Sequence, residues 1–134
     1  MRLDAQAFII HDVTRFPFVV FNEDAAQPGY ASQWEKEMVA LMENGQPFVV
    51  VYDQPRTEES HEDRKRRGIW LKHNKAALGR VCKALIRIEP DEEARCQARA
   101  MSDMAVRAFG IPHEVAATRD EALSITHRLT DGSI

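Results

Sequence analysis

The unbroken apolar run Phe48–Tyr52, which follows Pro47, constrains the fold more than any other feature of the sequence. Three consecutive valines favour a strand over a helix, because β-branched side chains fit a pleated surface. A strand with no alternation of apolar and polar residues is typical of a strand covered on both faces. The run therefore predicts the central strand of a sheet with helices packed on it.

The segments around this strand predict the order β-β-α-β-α-β-α-β-α. Phe8–Asp12 and Phe18–Asn22 are short apolar runs separated by a turn, which indicates a hairpin. Two later strands are predicted at Ala84–Ile88 and Glu114–Ala117. Apolar residues at helical spacing predict four helices: from Tyr30 to Asn44, from Ser60 to Leu78, from Asp91 until Gly110, and from Thr118 through Leu129.

Consecutive strands joined through helices are normally parallel. We therefore predict one α/β domain over residues 1–134, with a small open, mostly parallel sheet and an antiparallel N-terminal edge. Two helices carry capping-box spacing at their starts, Ser32 with Glu35 and Thr118 with Glu121. In the third helix, the apolar stripe that includes Met101 is predicted to face the core.

Composition excludes several classes of protein. A hydrophobic share of 44% with 29% charged residues argues against intrinsic disorder, and a net charge of -3 argues against a dedicated nucleic-acid binder. Cys82 and Cys96 lack the spacing of a disulfide framework or a zinc site, so both are predicted to be buried thiols. No signal peptide or membrane span is seen in the sequence, which predicts a cytoplasmic protein.

The strands resemble those of the STAS superfamily, most closely its SpoIIAA-like branch. The resemblance depends on Phe18–Phe21 before a helix, Pro47–Asp53 as a strand ending in an acid, Ala84–Ile88, and the segment Asp120–Leu123. It covers nearly the whole chain, through element order and apolar texture. The resemblance implies a non-catalytic module that binds a partner protein or a small ligand, sometimes under phosphorylation control. The Asp-Ser-Ser-Gly-type phosphoacceptor motif of anti-sigma-factor antagonists is absent.

Ligands of open α/β sheets favour the carboxyl ends of the strands, because loops and helix N-termini meet there. This rule selects Asp53, Gln54, Arg56, Glu89 and Thr118, and two residues of the charged segment that follows, His61 and Arg64, complete the ligand-binding candidates. In the leading hypothesis, Arg56 and Arg64 supply positive charge to a protein partner or a small anionic ligand. Asp53 and Gln54 set its orientation.

Three alternatives stay open. The chain would be a small enzyme for a phosphorylated or carboxylated metabolite if His61 acted as acid or base and Arg56 as an anion clamp. It would be an RNA-associated module if Arg64–Arg67 bound phosphates, although acids followed by bases in this segment favour a solvated, ion-paired helix. A homodimer through an apolar helix stripe or through the hairpin edge is the third. No motif indicates a metal, a cofactor or a catalytic nucleophile.

Overall fold

The computed structural model describes residues 7–53 and 60–130, with the backbone alone for residues 102–109. The strands in this part of the chain are β1 (His11–Asp12), β2 (Phe18–Phe21), β3 (Phe48–Tyr52), β4 (Cys82–Ile88) and β5 (His113–Ala116). The helices are α1 (Ala31–Asn44), α2 (His61–Gly79), α3 (Glu92–Phe109) and α4 (Arg119–Thr130), and a 3-10 helix covers Glu23–Ala25. The α/β class and the predicted order of elements are confirmed.

The strands form one five-stranded sheet in the order β1-β2-β3-β4-β5. β1 is antiparallel to β2, and the other neighbours are parallel, as predicted. In the middle of the sheet, Val50 of β3 lies opposite Val19 of β2 and Leu85 of β4. Each strand therefore pairs with its neighbour along the chain, and β1 and β5 are the two edges.

Helices cover both faces of the sheet unequally. α1 and α2 pack on the face formed by Val19, Phe21, Phe48 and Val50, and α3 contacts α2 and β5. α4 packs on the opposite face, where Ala122 and Ile125 join a cluster formed by Phe18, Val49, Val51, Ala84 and Ile86. The first four residues of β3 are at most 1% exposed. Burial on both faces confirms β3 as the central strand and explains its lack of polar alternation.

Local sequence sets most helix ends. The Ser60 hydroxyl accepts a hydrogen bond from the Asp63 N–H at the start of α2, and the Thr118 hydroxyl accepts one from the Glu121 N–H before α4. The predicted cap at Ser32 is wrong. Ser32 lies inside α1, whose first residue is Ala31, and no local side chain caps this helix. The N–H group of Ala31, at the start of α1, is instead bound by a side chain of α2.

Other predictions from spacing are also corrected. Met101 is 69% exposed, so the apolar stripe of α3 does not continue into the core at this residue. Cys82 is buried as predicted, whereas Cys96 is exposed on α3. The predicted strand Phe8–Asp12 is reduced to β1, because a side chain of α1 takes the backbone N–H groups of Ile9 and Ile10. Among the described helices, none is long and apolar enough to cross a membrane.

Candidate binding surface on α2

The predicted site residues lie in separate places. Asp53, at the end of β3, accepts a hydrogen bond from Arg119 at 3.2 Å. Glu89, at the end of β4, lies 3.5 Å from the guanidinium group of Arg87 and accepts a bond from the Asp91 N–H at 3.2 Å. Thr118 caps α4. Asp53 is therefore paired with the residue that follows Thr118, whereas Glu89 forms its bonds with residues beside it in sequence.

The helices that follow β2 and β3 lie on one face of the sheet. A crevice opens at the carboxyl ends of parallel strands where neighbouring strands send their connections to opposite faces of the sheet. Here α1 connects β2 to β3, α2 connects β3 to β4, and both helices pack on the same face. Helix α4, which follows β5, packs on the opposite face.

Two candidates lie together on α2. His61 is its first residue, Arg64 follows one turn later, and both are exposed. Gln54 and Arg56 lie outside the described residues, so their predicted roles stay predictions. Arg119 is a residue that sequence reasoning missed at the strand ends: its guanidinium carbon lies 5.3 Å from the centre of the Phe18 ring. Its position directly after Thr118, at the start of a predicted helix, was the available signal.

Asp63 fixes the start of α2 against α1. Its carboxylate accepts hydrogen bonds from the Ser60 hydroxyl at 2.7 Å, from the Gly29 N–H at 2.8 Å and from the Ala31 N–H at 3.2 Å. Burial raises the pKa of Asp63, but the bonds from Gly29, Ser60 and Ala31 outweigh it, so the pKa lies below its usual value. One carboxylate therefore caps both helices.

A seam of aromatic and basic side chains continues this contact. The Arg67 guanidinium donates to the Tyr30 hydroxyl at 3.0 Å and lies 5.4 Å from the centre of the Trp34 ring. The rings of Trp34 and Trp70 meet edge to face with centroids 5.2 Å apart. These contacts fix the rotation of α2 about its own axis, so that its opposite side faces outward.

The outward side of α2 is basic. The helix contains six Lys or Arg residues and two acids, and only Asp63 and Leu78 of its residues are buried. His61, Lys65, Lys72 and Lys75 follow one another at spacings of 4, 7 and 3 residues, which places them on one stripe of the helix. Within the described part of the chain, the three lysines are exposed and form no ion pair. We call these four residues the basic stripe.

A shallow groove of about 320 Å³ runs beside the basic stripe. Its apolar floor consists of Ile69, which is 47% exposed, and the indole of Trp70. Glu35 of α1 closes one side by pairing with Arg66 at 3.0 Å, and this pairing raises the pKa of Arg66. The predicted pairing along α2 is met in part: Arg67, four residues after Asp63, helps to lower the pKa of that acid, whereas Arg66 pairs with α1 and the three lysines face solvent.

A second set of buried polar groups holds β1. The Glu37 carboxylate accepts backbone N–H bonds from Ile9, Ile10 and His11 at 2.9, 3.0 and 2.8 Å, and side-chain bonds from His11 Nδ1 at 2.9 Å and Gln33 at 2.8 Å. Burial alone raises the pKa of Glu37, but these hydrogen bonds lower it from 4.5 to about 2. Glu37 is therefore ionised at neutral pH.

The Glu37 carboxylate and the His11 imidazole are paired as in a catalytic dyad, but both are closed off from solvent. An ionised carboxylate only accepts hydrogen bonds, so Nδ1 of His11 carries the proton of this bond. Nε2 is buried and has no hydrogen-bond partner among the described residues. The His11 ring packs edge to face on Phe21, with centroids 5.8 Å apart. Both side chains are at most 2% exposed, so a substrate cannot reach them. The pair therefore holds β1 in place.

The described parts of the chain hold no cluster of metal ligands, and one of the two cysteines is deeply buried. No group of three or more His, Cys, Asp or Glu side chains there could hold a metal ion. Burial raises the pKa of the Cys82 thiol to about 12, so this thiol stays protonated at neutral pH. On the α2 surface, exposed charge and exposed apolar area meet.

No protein-family model matches the chain, and neither a curated protein nor a solved structure matches it. The fold and the α2 surface therefore carry the functional proposal by themselves.

Proposed function

We propose that the chain is a STAS-like, non-catalytic binding module that docks an acidic amphipathic helix of a partner protein along α2. The observation that carries this proposal is the basic stripe of unpaired lysines beside the apolar groove at Ile69 and Trp70. The STAS-like assignment is supported by the order of elements and by the antiparallel N-terminal edge.

The length of the basic stripe favours a macromolecule over a small ligand. From His61 to Lys75, the helix rises by about 21 Å at 1.5 Å per residue. A single phosphate or carboxylate would contact one end of this surface and leave the rest unused. An extended acidic partner contacts all of it.

The groove favours a protein helix over RNA. A helix that presents leucines at helical spacing places them on the floor of Ile69 and Trp70, while its acidic face meets Lys65, Lys72 and Lys75. An RNA strand would meet phosphate-repelling acids outside α2: the chain has 18 basic and 21 acidic residues, of which α2 holds six and two. The rest of the chain is therefore distinctly acidic.

The enzyme alternative has less support. His61 is exposed at the first position of α2, and its proposed anion clamp, Arg56, lies outside the described residues. The alternative of a small anionic ligand at the strand ends also has less support. Arg119 already pairs with Asp53 there, so the charge of this site is balanced.

A labelled acidic helical peptide with leucines at positions i, i+3, i+4 and i+7 tests the proposal by fluorescence anisotropy. We expect saturable binding to the wild-type chain. The triple variant Lys65→Glu, Lys72→Glu, Lys75→Glu should bind at least about tenfold more weakly, since each reversed charge repels the peptide. Ile69→Ser should also weaken binding, by a smaller factor.

The matched control is Lys36→Glu, which reverses an exposed lysine of α1 away from the basic stripe and should leave binding unchanged. A single-stranded RNA oligonucleotide forms the second arm of the titration. Tighter binding of RNA than of peptide, with a steep loss on added salt, would replace this proposal with the RNA-associated module. Peptide binding that ignores the triple reversal would reject the α2 surface.

A further inference from the structure

We propose that the outer edge of β5, which pairs with no strand among the described residues, pairs antiparallel with β5 of a second copy of this chain, so that two five-stranded sheets join into one. This inference is independent of the α2 surface. It follows from the backbone register of β5, from the charges beside the strand, and from the state of the opposite edge.

The register leaves a set of backbone groups on the outer side of β5. The Leu85 N–H donates to the Pro112 carbonyl at 2.9 Å, and the Glu89 N–H donates to the Ala116 carbonyl at 2.7 Å. Residues alternate in direction along a strand, so Pro112, Glu114 and Ala116 point their backbone groups toward β4. The N–H and C=O groups of His113 and Val115 therefore point away from the sheet, where a further strand would bind.

The outer edge has defined ends. Before β5, the Ile111 carbonyl accepts a hydrogen bond from His113 Nδ1 at 2.8 Å. After it, the Ala117 N–H donates to the Glu121 carboxylate at 3.3 Å, which closes the edge where α4 begins. Pairing is thus confined to His113–Ala116. A two-fold axis beside Glu114 places His113 of one copy opposite Val115 of the other, and each such pair forms two hydrogen bonds.

Charge complementarity selects a second copy as the occupant. A cleft of about 630 Å³ along β5 is lined by side chains of both signs, including Arg99, Arg128, Glu114 and Glu121. A surface of mixed charge disfavours a partner of one sign, but it can complement itself across a two-fold axis. At the proposed axis the two Glu114 side chains meet. Arg128 lies 3.4 Å from Glu114 in its own chain and is 65% exposed, so it can also neutralise the second copy's Glu114.

The other edge of the sheet is closed. Ile10 lies opposite Asn22 and accepts its N–H at 2.7 Å, so the backbone groups of His11 point outward from β1. The His11 N–H is taken by Glu37 at 2.8 Å. The proposed dimer therefore uses β5 and not the hairpin edge considered from the sequence. With one edge closed, pairing through β5 stops at two copies.

Analytical ultracentrifugation of the full chain over a concentration series tests the pairing. We expect a reversible monomer–dimer equilibrium in wild type. Arg128→Glu places four acidic side chains at the axis and should raise the dimer dissociation constant at least about tenfold. The double variant Glu114→Arg, Arg128→Glu restores opposite charges and should recover the dimer. Arg80→Glu makes the same change in charge outside β5 and should have no effect.

Hydrogen–deuterium exchange locates the interface. Protection of the His113 and Val115 amides should rise with protein concentration, while the Glu114 amide, which faces β4, should stay constant. Melting temperatures of the variants check that each one folds. A chain that stays monomeric up to about 1 mM overturns the proposal. A dimer that is insensitive to Arg128→Glu, with no concentration-dependent protection in β5, overturns it equally.

Discussion

The two edge strands of the sheet differ in what binds their backbone groups. At β1, three consecutive backbone N–H groups and an imidazole converge on the buried carboxylate of Glu37. At β5, the backbone groups of His113 and Val115 face outward beside a cleft of mixed charge. β1 has two residues and β5 has four. The N–H groups at the shorter strand thus have hydrogen-bond acceptors, because a side chain of α1 accepts the bonds that a neighbouring strand would otherwise accept.

This difference shows that strand length and strand pairing alone do not decide whether an edge is available. A two-residue strand contributes little pairing energy of its own, and an isolated hairpin is marginal in water. The hydrogen bonds to Glu37 add stability that the short β1–β2 pairing lacks, since hydrogen bonds to an ionised group are stronger than those between neutral groups. The comparison therefore predicts that the β1 edge depends on one side chain and that β5 does not.

Glu37→Ala should give the largest effect and remove the difference between the edges. The change leaves the N–H groups of Ile9, Ile10 and His11 buried without an acceptor, so we expect a loss of about 3–5 kcal/mol in the free energy of unfolding. Urea denaturation measures this loss. Amide exchange at residues 9–11 should accelerate in the same variant, as β1 comes free.

The matched control is Glu43→Ala, an exposed acid of the same helix. It should change stability by less than about 0.5 kcal/mol. Equal losses in the two variants would mean that helix propensity or net charge, and not the contact with β1, sets the stability of α1.

A fall in pH should give the second-largest effect, because it weakens the attachment of β1 to α1. The pKa of Glu37 is about 2 in the folded chain against 4.5 for a free glutamate, so its contribution is complete above pH 4.5 and is lost as pH falls from there toward 2. A depression of this size is worth at most about 3 kcal/mol. Glu37→Gln cannot titrate, so its stability should fall less steeply between pH 5 and pH 2 than that of wild type. Parallel acid profiles would contradict the low pKa.

Thr118→Ala should give the smallest effect, at the end of the β5 edge. It removes the hydroxyl that accepts the Glu121 N–H at 3.1 Å, for an expected loss of about 1 kcal/mol. The melting temperature should fall by about 3–5 °C. Ser124→Ala, at an exposed position inside α4, is the control and should not destabilise the fold. A Thr118 variant that melts like wild type would show that Glu121 alone closes this edge.

Much of the fold could be predicted because its signals are local. The run Phe48–Tyr52 specifies a strand buried on both faces, and Ser60 and Thr118 cap the helices that directly follow them. These features need only neighbouring residues. The parallel order of β2–β5 then follows from the helices between the strands.

The contacts that position the elements around the candidate site could not be predicted, because they join residues distant in sequence. Glu37 contacts residues 26 to 28 positions earlier, and in the sequence it reads as a polar residue of an amphipathic helix. Asp63 caps α1 from 32 positions away, which left Ser32 as the nearest local candidate. The strand-end rule selected Asp53 and Glu89 correctly as loop residues. Whether such loops form a crevice depends on the faces that the helices occupy, and sequence order does not specify this.

Helix α1 is held at two points by carboxylates. Asp63 of α2 binds its first N–H, and its own Glu37, less than two turns further on, binds the segment that leads into β1. The first turn of α2, the first two turns of α1 and the β1 edge are therefore linked in series by ionic hydrogen bonds. We expect them to open as one cooperative unit in the native state, so that occupancy of the first turn of α2 would slow the opening of β1.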